Sequence, residues 1–105
     1  EKEILYLESM RHEIWVHCEK KVFLTSETLG YWEEKLRVRS FLRVHKSFLV
    51  NPRHVQAILT PSNSFNKFFQ LSSGESIPIS QSQWRASRSV FLDLITQQTK
   101  EVPSL

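Results

Sequence analysis

The chain has 105 residues, 40% of them hydrophobic and 24% charged, with a formal net charge of +3. That supports one domain with a real core, and no apolar run approaches the roughly 18 residues needed to cross a bilayer. A single cysteine, Cys18, excludes an internal disulfide and suits a reducing cytoplasm.

No secretory signal pattern opens the chain. It begins at Glu1 without an initiator Met, as expected of a domain excised from a longer protein. Ile4 to Glu8 is a short apolar run rich in strand formers. Ser9 to Glu13 is a polar break. Ile14 to Cys18 and Val22 to Thr25 follow as strands around the turn Glu19-Lys20-Lys21, which predicts a hairpin. The period then changes. Ser26 is the predicted helix cap, and Leu29, Trp32 and Leu36 recur at helical spacing. Phe41 to Val44 predicts a strand, although Phe41, Val44 and Phe48 also fit a helical period. Pro52 stops a helix and pushes Asn51 toward an extended backbone. His54 to Thr60 predicts a strand, and Pro61-Ser62-Asn63-Ser64 a loop. Lys67 to Ser72 and Ser76 to Ser80 form a second predicted hairpin, with Gly74 supplying a positive φ at its turn. Pro78 lacks a ladder donor and belongs on an edge strand or at a bulge. A final helix is predicted from Gln83, with Trp84, Ser87, Phe91, Leu94, Ile95 and Gln98 on or near one face. Residues 1–99 form the predicted domain and 100–105 a frayed tail. The fold class is mostly β, with antiparallel strands, a short internal helix and a C-terminal helix.

Charge is segregated along this pattern. Lys35 to Gly74 carries seven of the fourteen basic residues and none of the eleven acids. Such a field favours polyanions, nucleic acid above all. The segment Phe41-Leu42-Arg43-Val44-His45-Lys46-Ser47-Phe48-Leu49-Val50-Asn51 lies inside it. Its apolar members can anchor a scaffold, and its His-Lys-Ser centre offers donors for phosphates and base edges. Polar residues gather in two other predicted loops, Arg11-His12 and Ser80-Gln81-Ser82-Gln83. The first helix is acidic at Glu27, Glu33 and Glu34, which repels phosphate, so neither helix reads as a recognition helix.

Catalytic and metal signals are weak. Glycine-rich phosphate loops and nucleophile elbows are missing, and the chain has only two glycines. His12, His17, His45, His54 and Cys18 do not match zinc spacing, and adjacent His17 and Cys18 point to opposite faces of a strand. The reading is a non-enzyme without a cofactor or metal.

Four motifs in register resemble the LytTR DNA-binding domains. Ile4-Leu5-Tyr6-Leu7-Glu8-Ser9 is similar to the family's opening strand, and Ser26 to Leu36 to its short helix. Phe41 to Asn51 resembles its hallmark "F-x-R-[VC]-H-[RKN]-S-[YF]-[ILV]-V-N". Gly74-Glu75-Ser76-Ile77-Pro78-Ile79-Ser80 is similar to its "G-x-x-[IL]-P-[VI]-S". The resemblance implies an elongated β–β–β fold and sequence-specific binding of double-stranded DNA by inter-strand loops. In the family, two loops enter successive major grooves and the segment between crosses the minor groove. It further implies paired direct-repeat sites, a possible dimer on DNA and an N-terminal receiver or sensor domain, as in bacterial response regulators.

Carried over position by position, the resemblance makes His12, Lys46 and Ser82 base-contacting. Ser47, Lys67, Ser80 and Gln81 match backbone-contacting positions, with Arg11 and Arg85 placed beside them. Arg43, His45 and Asn51 shape the hallmark loop. The chain departs from the pattern at one site: Gln81, Ser82 and Gln83 stand where many members carry an arginine. Two other classes remain open on the residues alone. A β-rich protein-interaction module would keep its partner after His12 and Lys46 are replaced. A single-strand binder stacking bases on Trp or Phe would prefer single strands to duplex.

Overall fold

The computed structural model describes residues 3–62 and 64–99, with side chains as far as Thr96. Among the described residues eight strands form: β1 Ile4–Met10, β2 Glu13–Cys18, β3 Val22–Thr25, β4 Leu42–His45, β5 Phe48–Val50, β6 Val55–Leu59, β7 Lys67–Leu71 and β8 Ser76–Ile79. Two α-helices accompany them, α1 Leu29–Lys35 and α2 Gln81–Thr99, with 3₁₀ turns at Arg37–Arg39 and Pro52–His54. Every pairing is antiparallel, and the molecule is elongated, 50 × 38 × 23 Å. This is the fold class read from the sequence.

One sheet runs β3-β2-β1-β5-β4 and the other β6-β7-β8. The long-range step is β1 on β5, with Tyr6 opposite Val50, Leu7 opposite Leu49 and Glu8 opposite Phe48. Two bulges sort side chains between the faces of the larger sheet. The register slips between Ile4 and Tyr6, and again between Arg43 and His45. An extra residue in a strand breaks the two-residue alternation. Leu5 and Tyr6 therefore both reach one core, and Val44 joins it while Arg43 faces the other way.

That core unites both sheets and α2 around Val44, Val50, Phe69, Leu71, Ile77 and Phe91. The opposite face packs α1 through Leu29 and Leu36 onto Leu7, Val16 and Leu49. Trp32 and Trp84 are half-buried and pack against these cores. Asn51 pins the crossing between the sheets. Only 2% exposed, its side-chain N–H donates to Ile4 O (2.9 Å) and Glu3 Oε2 (3.0 Å), and its Oδ1 accepts from Arg53 N (3.1 Å). A buried amide held at both ends leaves no costly orphan there.

Several boundaries differ from the sequence reading. The cap of α1 is Thr28, whose Oγ1 accepts from Tyr31 N, not Ser26. Thr25 Oγ1 accepts from Glu27 N, so a local turn absorbs Ser26 before the helix starts. The hallmark segment is a complete hairpin, β4 and β5, rather than one strand. His54 ends a 3₁₀ turn capped by Asn51, and the strand begins at Val55. The polar stretch Ser80–Gln83 is not a loop: Gln83 N bonds Ser80 O, and α2 starts at Gln81. Ile95 is exposed rather than packed. Pro78 sits on β8, an edge strand, and Gly74 has φ 109°. The predicted tail 100–105, Asn63 of the loop and the side chain of Gln98 lie outside the described residues.

Tyr6 is buried and stacks on His17, ring centroids 4.1 Å apart. Burial first, then the charges of Glu75 and Glu8, push its phenol from 10.0 up to about 12. The folded value lies above the unfolded one, so this contribution is complete below about pH 10 and is lost as pH rises through about 12. Tyr6→Phe keeps the ring and removes that loss. Relative to the variant, the native chain should lose up to roughly 2–3 kcal/mol between neutral and strongly alkaline pH, read from urea unfolding midpoints.

Candidate nucleic-acid interface

Antiparallel pairing of β1 with β5 brings two hairpin turns to one end of the larger sheet. Met10 pairs with Glu13, which leaves Arg11 and His12 as a two-residue turn. Their φ angles are 54° and 68°. Positive φ at both central residues marks the mirror-image turns that match strand twist, which normally use Asn or Gly. Here an exposed arginine and an exposed histidine occupy them. His tolerates the left-handed region better than Arg does.

The second turn is Lys46-Ser47, between β4 and β5. Arg43 grips it from below. Its Nε donates to His45 O (3.0 Å) and its Nη2 to Lys46 O (2.8 Å). Its Nη1 donates to Glu33 Oε1 of α1 (2.8 Å). One planar guanidinium thus ties the turn to the helix, a fork that lysine cannot reproduce. His45 braces the other side. Its Nδ1 accepts from Ser47 N (3.1 Å), and its ring lies edge-on to Phe48 at 5.7 Å. A backbone N–H can only donate, so Nδ1 carries the lone pair. The Lys46 side chain is left exposed above a fixed backbone. Ser9 N donates to Ser47 O (2.8 Å), joining the two turns near their tips.

The start of α2 completes the row. Ser80 N donates to Val44 O (2.9 Å), which sets the helix against β4. Ser80 and Ser82 hydroxyls lie 3.3 Å apart. A groove of about 570 Å³ is lined by His45, Lys67, Ser80, Gln81 and Trp84. A second, of about 460 Å³, is lined by Arg43, Lys46, Ser82 and Gln83, and shares His45 and Ser80 with the first. Lys67 Nζ lies 5.6 Å over the Trp84 ring. The first turn of α2 has no acid, so the positive end of the helix dipole is not neutralised there.

Lys46, Ser47, Lys67, Ser80, Gln81 and Ser82 therefore converge around the β4–β5 turn, with Arg43 and His45 beneath. Arg11 and His12 form the neighbouring turn of the same sheet. Arg85 is exposed on α2 but lines neither groove. Asn51 lies at the far end of β5, away from the turn. Two participants were missed in the sequence. Glu33, counted there as repelling phosphate, is the partner of Arg43, and ten residues of separation gave no signal for it. Phe65 is 88% exposed and lines the larger groove.

The family model described as the LytTr DNA-binding domain matches residues 1–91. This chain belongs to the LytTR family of DNA-binding domains. A solved LytTr DNA-binding domain of a response regulator from Bacillus cereus superimposes with a TM-score of 0.73 at 31% identity, over 82% of this chain and 78% of that one. The sensory transduction protein LytT of Bacillus anthracis is 30% identical over 80 residues, 76% of this chain and 32% of the relative. LytR of Staphylococcus saprophyticus is 39% identical over 49 residues, 47% of this chain and 18% of the relative. The chain thus spans about a third or less of the length of these curated relatives. DNA binding in transcription regulation follows from the membership. Among the described residues no cluster could hold a metal ion, and no helix is long and apolar enough to cross a membrane.

Arg43→Lys should keep the charge and lose the fork. The expected result is a stability loss of about 1 kcal/mol and faster amide exchange at Ser47, read by NMR. Arg11→Asn should relax the left-handed turn and raise stability by roughly 0.5–1 kcal/mol in urea unfolding, while duplex affinity falls.

Proposed function

We propose that this LytTR domain is the DNA-reading output part of a bacterial transcription regulator that acts in the cytoplasm. The observation that carries the reading is the linear order of its exposed polar tips. The Arg11-His12 turn joins β1 and β2, the Lys46-Ser47 turn lies beside it, and the start of α2 abuts β4 on the other side. A row of three tips with a basic middle suits a duplex lying across one face.

His12 and Ser82, at the ends of the row, read bases in successive major grooves, and Lys46 reads the groove between. Arg11, Ser47, Lys67, Ser80, Gln81 and Arg85 meet phosphates. Arg43 and His45 hold the central tip in place without reading bases, and Asn51 fixes the strand behind it. The rigid turn matters because pre-organised contacts lose less entropy on binding. An N-terminal receiver or sensor domain controls the protein, and two copies occupy paired direct repeats.

A second reading has one observation in its favour. Phe65 stands exposed beside Lys67 and Trp84, a combination that could stack an unpaired base. Comparing affinity for a duplex with that for either of its strands separates the two readings.

Selection of bound duplexes from a random pool should return a direct repeat. Lys46→Ala should cost about 1–3 kcal/mol and relax preference at one position of it. Lys67→Ala should weaken all sequences alike and reduce the slope of log affinity against log salt by about one unit. Affinity that does not change with ionic strength would sink the DNA-reading model for this face.

A further inference from the structure

A third groove, of about 370 Å³, lies at the opposite end of the larger sheet from the hairpin turns. Its floor is apolar, built from Phe23, Trp32, Leu36 and Phe41. Three cations, Lys35, Arg39 and Arg53, line it as well, and all three are exposed. None of them is in an ion pair among the described residues; Lys35 lies only over the Tyr31 ring, at 5.9 Å. The acid in the groove, Glu3, is already engaged by Asn51 Nδ2 at 3.0 Å and faces His54 at 3.4 Å. Trp32 Nε1 is buried without a hydrogen-bond partner. A buried donor left unpaired costs free energy.

We propose that this groove binds a small amphiphile with an aromatic or alkyl body and one anionic headgroup, such as a carboxylate or sulfonate. Its size is that of a small-molecule site, and its lining has the usual form of an apolar floor with a few convergent polar groups. Charge complementarity selects the class. Three unpaired cations around aromatic rings reject a cation and leave a neutral hydrocarbon without a use for them. Double-stranded DNA fits poorly, because its phosphates cannot fill an aromatic floor and the groove faces away from the proposed reading row. The site needs no assumption about DNA, so it stands or falls separately from the proposed function.

The whole chain is titrated with anilinonaphthalene sulfonate, an anionic aromatic probe, under native conditions. The expected result is saturable binding of one probe per chain, with a shift of the Trp32 indole N–H signal, assigned by its loss in Trp32→Phe. Arg39→Gln and Arg53→Gln should each weaken binding roughly two- to fivefold, as befits exposed ion pairs, with unchanged unfolding midpoints. Arg88→Gln, on an exposed face of α2 outside the groove, serves as the charge-matched control. Equal losses in all three variants, a shift confined to Trp15 or Trp84, displacement of the probe by duplex DNA, or one probe per two chains would each overturn the assignment. The last outcome would assign the groove to contact between copies.

Discussion

The pairing of β1 with β5 is the constraint on which the rest of the structure depends. It joins residues forty or more positions apart, so it closes a long loop and must be driven by what it buries. Leu7 opposite Leu49 and Tyr6 opposite Val50 supply that drive, all of them buried. Once the pair forms, the ends of β1 and β5 fix where the turns go. Arg11-His12 and Lys46-Ser47 become neighbours because antiparallel strands put the end of one beside the start of the other. The basic middle of the chain is thereby folded back onto the N-terminal hairpin.

The bulge at Val44 is the second determinant. Under strict alternation Arg43 and His45 would share a face. The extra residue sends Arg43 toward α1 and His45 toward the groove with α2. The turn is then gripped from both sides of the sheet by residues two positions apart. It also gives α1 a purpose that its acidity obscured. Glu33 is close enough to neutralise Arg43, so the guanidinium that holds the turn is partly withdrawn from the field presented to phosphate. Exposed Lys46 has no acidic partner among the described residues.

Much of this was legible in the residues. The two outer hairpins, the edge position of Pro78, the positive φ of Gly74 and the specific hallmark at Phe41 to Asn51 each follow from local chemistry. What was not legible depends on contacts far apart in sequence. Bulges are set by which neighbours the strand must satisfy, so nothing in Phe41 to His45 marks one. Ser26 and Thr28 are both good caps, and the Thr25–Glu27 turn together with packing of Leu29 and Leu36 onto the sheet chooses where the helix starts. Ser80 to Gln83 has the composition of a turn. It becomes helical because Ser80 N is fixed to Val44 O and Trp84, Ser87 and Phe91 pull the segment onto the core.

That last change alters the meaning of the chain's departure from its family. Read as a loop, Gln81-Ser82-Gln83 lacks the arginine that many members place there and offers glutamine amides without its charge. Read as the first turn of a nineteen-residue helix, it offers about half a positive charge from the aligned peptides. An arginine supplies charge and a fork for guanine. A helix start supplies charge without the fork, and glutamine adds a bidentate match for adenine. The substitution therefore keeps a positive helix end at this tip while replacing a fork shaped for guanine by amides shaped for adenine. Charge at this tip comes from the aligned backbone and the donor–acceptor pattern from the side chains, so different atoms of the same turn set the two.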